Sequence, residues 1–211
     1  LYERSANFKA AYEQLQQANK ALLVDRTYRS KMVLDFFQRL RSHGQQLSKS
    51  KVATEHIAGT SGNIFIVGMP RSGTSLLESV LGGHSDISPL GELPLLGKTI
   101  GSSDIMLEDK VDKHKIVLLL AKYKLLVTEL YPRKEGYVID KMPMNFRFIP
   151  YILTGLSESK VIHIQRNKED VCWSNYYNHL PAAGLEYSCT IPTTFDYYNY
   201  YEKLMPVSYT H

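Results

Sequence analysis

Apolar residues near the start of the chain recur with a helical period. Phe8, Ala11, Leu15, Ala18 and Leu22 are three or four residues apart on a background of Gln, Lys and Glu, predicting an amphipathic helix. Val33, Phe36, Phe37 and Leu40 give a second helix its own stripe. Such stripes must be covered, by each other, by the rest of the protein or by helices upstream. Residues 43–62, rich in Ser, Lys, Gln, Thr and Gly, read as a linker. The period then changes. A β-branched and aromatic run at 64–67 predicts a strand, and Thr74–Leu81 a helix. A longer helix is expected at 112–131, stopped by Pro132. Strands at 137–139 and Lys160–Ile164 alternate with helices at 145–156 and 168–178, and a last helix covers 195–205. The glycines and prolines of 82–94 predict irregular chain there.

Alternation of this kind gives an α/β fold, a P-loop-like three-layer parallel sheet preceded by a small helical segment. In such sheets ligands bind at the carboxyl ends of the strands. The loops after Val67, Ile139 and Ile164 are therefore where chemistry is expected.

Composition changes the picture little. The apolar and charged fractions, 44% and 22%, are those of a globular protein. No apolar run approaches the roughly 18–20 residues of a membrane span; the longest, 116–121, is cut by Lys122 and Lys124. Cys172 and Cys189 have no metal-ligand or disulfide spacing, so a reducing cytoplasm is expected. Leu1-Tyr-Glu-Arg has no signal-peptide character, and the missing initiator Met suggests a fragment. Residues 1–62 hold ten Lys/Arg against five Asp/Glu, while the remainder has fifteen against sixteen. The basic excess is read as a solvated helix surface that leaves room for a protein partner, not as a nucleic-acid site.

The loop after the first strand, Gly68-Met-Pro-Arg-Ser-Gly-Thr-Ser75, has two glycines placed as in a phosphate-binding loop, but Thr74 stands where that pattern has lysine. Its glycines let backbone N–H groups point inward, and the following helix adds its own unpaired N–H groups. Arg71, Ser72, Thr74 and Ser75 contribute further donors, which suits a tetrahedral oxyanion. Losing the lysine argues against nucleoside triphosphate hydrolysis. The second loop, Asp140-Lys-Met-Pro-Met-Asn145, brings Lys141 alongside the first. In the third, Arg166 ends a strand and Ser174 lies two turns into the next helix, a spacing that lets both meet a further phosphate. Two anion sites suggest a nucleotide phosphorylated at two places. Glu92 and His84, between the first two strands, are candidate general bases.

GMPRSGTS, GEL, DKxPxN and R-x₇-S, in that order, resemble the PAPS-dependent sulfotransferases, most nearly a bacterial branch fused to tetratricopeptide repeats and related to protein-tyrosine sulfotransferases. The resemblance covers about 62–205. It implies that Arg71, Ser72, Gly73, Thr74 and Ser75 bind the 5′-phosphosulfate of PAPS (3′-phosphoadenosine-5′-phosphosulfate) and that Arg166 and Ser174 bind its 3′-phosphate. It further implies Glu92, rather than His84, as the base, Lys141 as stabiliser of the transferring group, an acceptor hydroxyl as substrate, and no metal. Ser75 replaces the more usual threonine and keeps the hydroxyl. Residues 7–18 resemble half of a tetratricopeptide repeat. The implied organisation is a helical remnant and linker over 1–60, an incomplete transferase domain over 61–205 and a non-native tail at 206–211. Rival expectations are a P-loop nucleotide kinase and a non-catalytic helical interaction module. Trp173 reads as an adenine platform or as core, and the tyrosines at 176–177 and 197–201 as packing or an acceptor groove.

Overall fold

The computed structural model describes residues 6–25, 27–49, 62–132, 136–156, 158–178, 180 and 184–208; most of the expected linker, 50–61, and residues 209–211 lie outside them. In chain order the elements are α1 (Phe8–Asp25), α2 (Ser30–Ser48), β1 (Gly62–Gly68), α3 (Thr74–Leu81), β2 (Ile87–Pro89) and α4 (Leu95–Gly101). There follow α5 (Lys113–Leu130), β3 (Tyr137–Asp140), α6 (Ile149–Gly155), β4 (Lys160–Ile164), α7 (Lys168–Tyr177) and α8 (Ile191–Ser208). Short 3-10 turns occupy Asp104–Met106, Pro143–Phe148 and Glu186–Cys189.

The four strands form a parallel sheet in the order β2-β3-β1-β4. β1 is central and buried on both faces, which is why its sequence is continuously apolar rather than alternating. Its residues still divide by face. Phe65 and Val67 enter the large core with α4, α5, α6 and α8, whereas Ile64 and Ile66 join Ile139 against Leu77 and Leu81 of α3. α5 starts where Asp112 caps it, accepting from the N–H groups of His114 and Lys115 at 2.9 and 3.3 Å. Its buried face is Ile116, Leu120, Tyr123 and Val127, with helical spacing.

Several boundaries differ from the pattern-based expectation. The segment 82–94 contains β2, an edge strand, where Pro89 is tolerated because only one side is paired. α4 was not foreseen. The helix expected at 145–156 divides into the 3-10 turn Pro143–Phe148 and then α6, with Pro150 in its first turn. α8 starts earlier than expected and continues past Met205 to Ser208, which is buried. α2 extends into the expected linker because His43 and Leu47 are buried: His43 Nδ1 meets the Tyr151 hydroxyl at 2.5 Å, and Nε2 meets the Glu108 carbonyl at 2.7 Å.

Of the two N-terminal helices, α2 is covered by the rest of the protein, and α1 rests on it with only Asn19 buried among its described side chains. Phe37, Leu40 and Leu47 of α2 share the main core, and α2 packs on α8 and α6. α1 lies against the turn Glu186–Cys189 and against α7, where Tyr12 stacks on Trp173 with centroids 6.4 Å apart and Asn19 Nδ2 donates to the Tyr176 carbonyl at 3.1 Å. Phe8, expected in the buried stripe, is 69% exposed. Among the described residues no helix is long and apolar enough to cross a membrane.

Candidate active site

The loop between β1 and α3 is tightly specified. Gly68 has φ +156°, and a Cβ there would stand 2.4 Å from the Ile164 carbonyl oxygen of β4. Gly73, just before α3, has φ +108°, and Arg71 adopts the left-handed region at φ 71°, unusual for a residue with a Cβ. The chain therefore curls at the sheet's carboxyl edge and delivers the first N–H groups of α3, which have no intrahelical acceptor, to the same place. Thr74 is buried there and Ser75 is exposed. Ser72 is also buried, and its hydroxyl has no hydrogen-bond partner. An orphaned hydroxyl of this kind costs about 1–3 kcal/mol, a cost that a ligand oxygen removes.

β3 delivers the second loop beside it. Phe65 of β1 lies opposite Asp140, so Lys141 falls at the same edge. Lys141 is buried, and a buried ammonium needs counter-charge. Its Nζ lies 2.7 Å from Glu92 Oε1 and 3.8 Å from Glu78 Oε2. The backbones are joined as well: Lys141 N–H donates to the Gly91 carbonyl at 2.9 Å, and Gly91 N–H donates to Glu78 Oε1 at 2.8 Å. Glu92 keeps more than half of its side chain exposed, so a substrate can reach it. Asp140 points the other way, into the core. Tyr123 donates to its Oδ2 at 2.8 Å, Asn145 Nδ2 lies 3.4 Å from the same oxygen, and Oδ1 has no hydrogen-bond partner. Burial pushes the Asp140 carboxyl up to about 7, against the pull of the Tyr123 hydrogen bond.

The third loop shares the edge. Gly68 lies opposite Ile164 in the register of β1 and β4, and Arg166 follows two residues later. Asn167 caps α7 by accepting from Asp170 N–H at 2.9 Å. The half-exposed Arg166 guanidinium pairs with Asp170 at 3.2 Å, an exposed i,i+4 contact that contributes little and exchanges readily for a phosphate. Ser174 is met instead by Arg71, whose Nε donates to its Oγ at 3.2 Å. The glycine loop and α7 are thus directly connected. Asn175, fully buried, adds a second link: its Nδ2 donates to the Pro70 carbonyl at 2.7 Å, and its Oδ1 accepts from the Tyr187 hydroxyl at 3.0 Å.

The residues singled out for the phosphate loops, with Glu92 and Lys141, thus lie on loops at the carboxyl edge of the sheet or on helices leaving it, whereas His84 lies before β2, at the opposite edge. His84 is engaged in its own turn, accepting from Asp86 N–H at 3.1 Å. Trp173 is 47% exposed and carries Tyr12 of α1. Sequence reasoning missed Glu78 and Asn175. The available signal for Glu78 was a lone acid inside the apolar run Leu76-Leu-Glu-Ser-Val-Leu81. Among the described residues, no group of three or more His, Cys, Asp or Glu side chains could hold a metal ion.

A parallel sheet whose central strand feeds a glycine loop and a helix N-terminus, with cationic side chains following both neighbouring strands, defines an α/β protein of the P-loop-like kind. The chain belongs to the sulfotransferase family, whose model, described as "Sulfotransferase family", matches residues 63–209. It is also similar to a protein of Aquifex aeolicus (strain VF5) that carries the name "Uncharacterized protein", with 35% identity over 131 residues. That match covers 56% of this chain and 17% of the relative, so the chain spans about a sixth of the relative's length.

Proposed function

We propose that this chain transfers a sulfuryl group from PAPS to an acceptor hydroxyl. PAPS supplies the sulfuryl group and a phosphate leaving group. The orphaned Ser72 hydroxyl and the close approach allowed at Gly68 fit one phosphate end of such a donor. In this reading Arg71, Ser72, Gly73, Thr74 and Ser75 hold the 5′ end, and Arg166 and Ser174 hold the 3′-phosphate. Glu92 accepts the acceptor's proton on Oε2, the oxygen its ion pair with Lys141 does not use. Lys141 and the loop N–H groups stabilise charge gathering on the departing oxygen.

The single observation that carries the reading is the Glu92–Lys141 pair beside the glycine loop: an exposed base and a buried cation where an anion cradle opens. The test is calorimetry with adenosine 3′,5′-bisphosphate. Binding without metal is expected; binding of ATP–Mg²⁺ instead would mean a nucleotide kinase, and binding of neither a non-catalytic module. With labelled PAPS and an active acceptor, Glu92→Gln should lower turnover by about 10²–10⁴-fold. Wild-type turnover in that variant would remove Glu92 from the mechanism.

We further read α1 and α2 as tetratricopeptide-like and as the place where a protein partner is received. The exposed Phe8 of α1 supports that assignment.

A further inference from the structure

We propose that Glu78 is the positioning residue of this centre, holding the Gly91–Glu92 turn in place and keeping a counter-charge on Lys141 while Glu92 takes the acceptor's proton. The inference rests on reading Glu92 as the base. Glu78 lies on α3, one turn beyond Thr74, and its carboxylate is 13% exposed although the helix has an open outer face marked by Leu76 and Val80. It is turned inward. One oxygen accepts from Gly91 N–H at 2.8 Å and the other lies 3.8 Å from Lys141 Nζ. Gly91 in turn accepts from Lys141 N–H, so one carboxylate touches both the lysine and the turn that carries the base.

The arrangement has a chemical consequence. Lys141 has two carboxylates, and the nearer one is the reactive one. When Glu92 Oε2 takes the proton, the acceptor O–H bond breaks, a carboxyl O–H bond forms, and the pair loses its negative member. Lys141 would then be an uncompensated buried cation, a costly state, if Glu78 were not present. With Glu78 in place the ammonium keeps a partner throughout and remains able to meet charge on the leaving oxygen. The other ionisable groups facing this cluster are Asp140, whose carboxyl feels the Glu78 charge, and Tyr123, which donates to Asp140.

Glu78→Gln separates charge from scaffold, since the amide oxygen can still accept from Gly91 N–H. The decisive measurement is transfer from PAPS to 4-nitrophenol by the whole chain. Glu78→Gln is expected to lower kcat by about 10–100-fold, with the KM for PAPS and binding of adenosine 3′,5′-bisphosphate in place; an unchanged kcat would overturn the proposal. Amide hydrogen exchange at Gly91, which needs no turnover, gives the scaffold contribution separately. Protection of that N–H should be kept in Glu78→Gln and lost in Glu78→Ala; equal protection in all three proteins would show that Glu78 does not hold the turn. If the wild-type chain failed to bind adenosine 3′,5′-bisphosphate, the sulfotransferase reading would fall, while exchange at Gly91 would still decide whether Glu78 holds the turn that carries Glu92.

Discussion

Asp140 holds a proton under conditions where most carboxyl groups have lost theirs. Its folded value is raised to about 7 from an ordinary 3.8, so the folded chain retains a proton that the unfolded chain releases. Stability contributed by this group is complete below the unfolded value and is lost as pH rises through the folded one, a difference of order 4 kcal/mol at the upper end. Urea unfolding at about pH 4 and about pH 8 should show that fall, and Asp140→Asn should flatten it. The comparison is made on the slope, because an asparagine amide cannot keep every contact of the carboxylate, which faces Tyr123, Asn145 and the Leu93 N–H. Gly68→Ala gives a second expectation. The added methyl would press on the Ile164 carbonyl, so binding of adenosine 3′,5′-bisphosphate should be lost, with about 1–3 kcal/mol of stability. Gly68 was legible in the sequence because its spacing to Gly73 reports a backbone requirement. Glu78 was not, because an acid on a helix ordinarily faces water and only the tertiary position of Gly91 turns it inward.

Loops here are held by helices, and α7 holds most. Asn175 spends both amide atoms on the arrangement, fixing Pro70 on one side and receiving Tyr187 on the other, while Tyr187 stacks on Tyr197 of α8 with centroids 3.8 Å apart. Asn175→Ala strands the Pro70 carbonyl and the Tyr187 hydroxyl. A stability loss of about 1–3 kcal/mol is expected by chemical denaturation, together with weaker nucleotide binding as Arg71 loses its constraint. Tyr187→Phe should cost less, since one acceptor is left rather than two groups. Strand and helix identity was readable wherever local pattern decides it, as in the continuous apolar run of β1 and in Lys160–Ile164, whose bounds match the expectation. The pattern failed where a neighbour decides. β2 exists because β3 offers an edge, and α8 outlasts Met205 because Val207 and Ser208 find cover, the former near Gly44 of α2.

Helix α2 and the sheet share one interior. Phe37 of α2 packs edge-on against Tyr197 of α8 and stacks with Phe146 behind the second loop, and Leu40 is 2% exposed in the same cluster. Leu40→Ala should therefore destabilise the sheet as well as the helix, by about 2–5 kcal/mol, in a single unfolding transition that circular dichroism and tyrosine fluorescence report together. Two probes giving separate midpoints would show that the helices unfold independently. α1 is attached differently, through Tyr12 resting on Trp173 and Asn19 gripping the carbonyl of Tyr176. Those anchor points flank Ser174 along α7. A load applied to the first helix is consequently delivered to the turn of α7 that carries Ser174, which makes this helix a lever on the segment proposed to hold the 3′-phosphate.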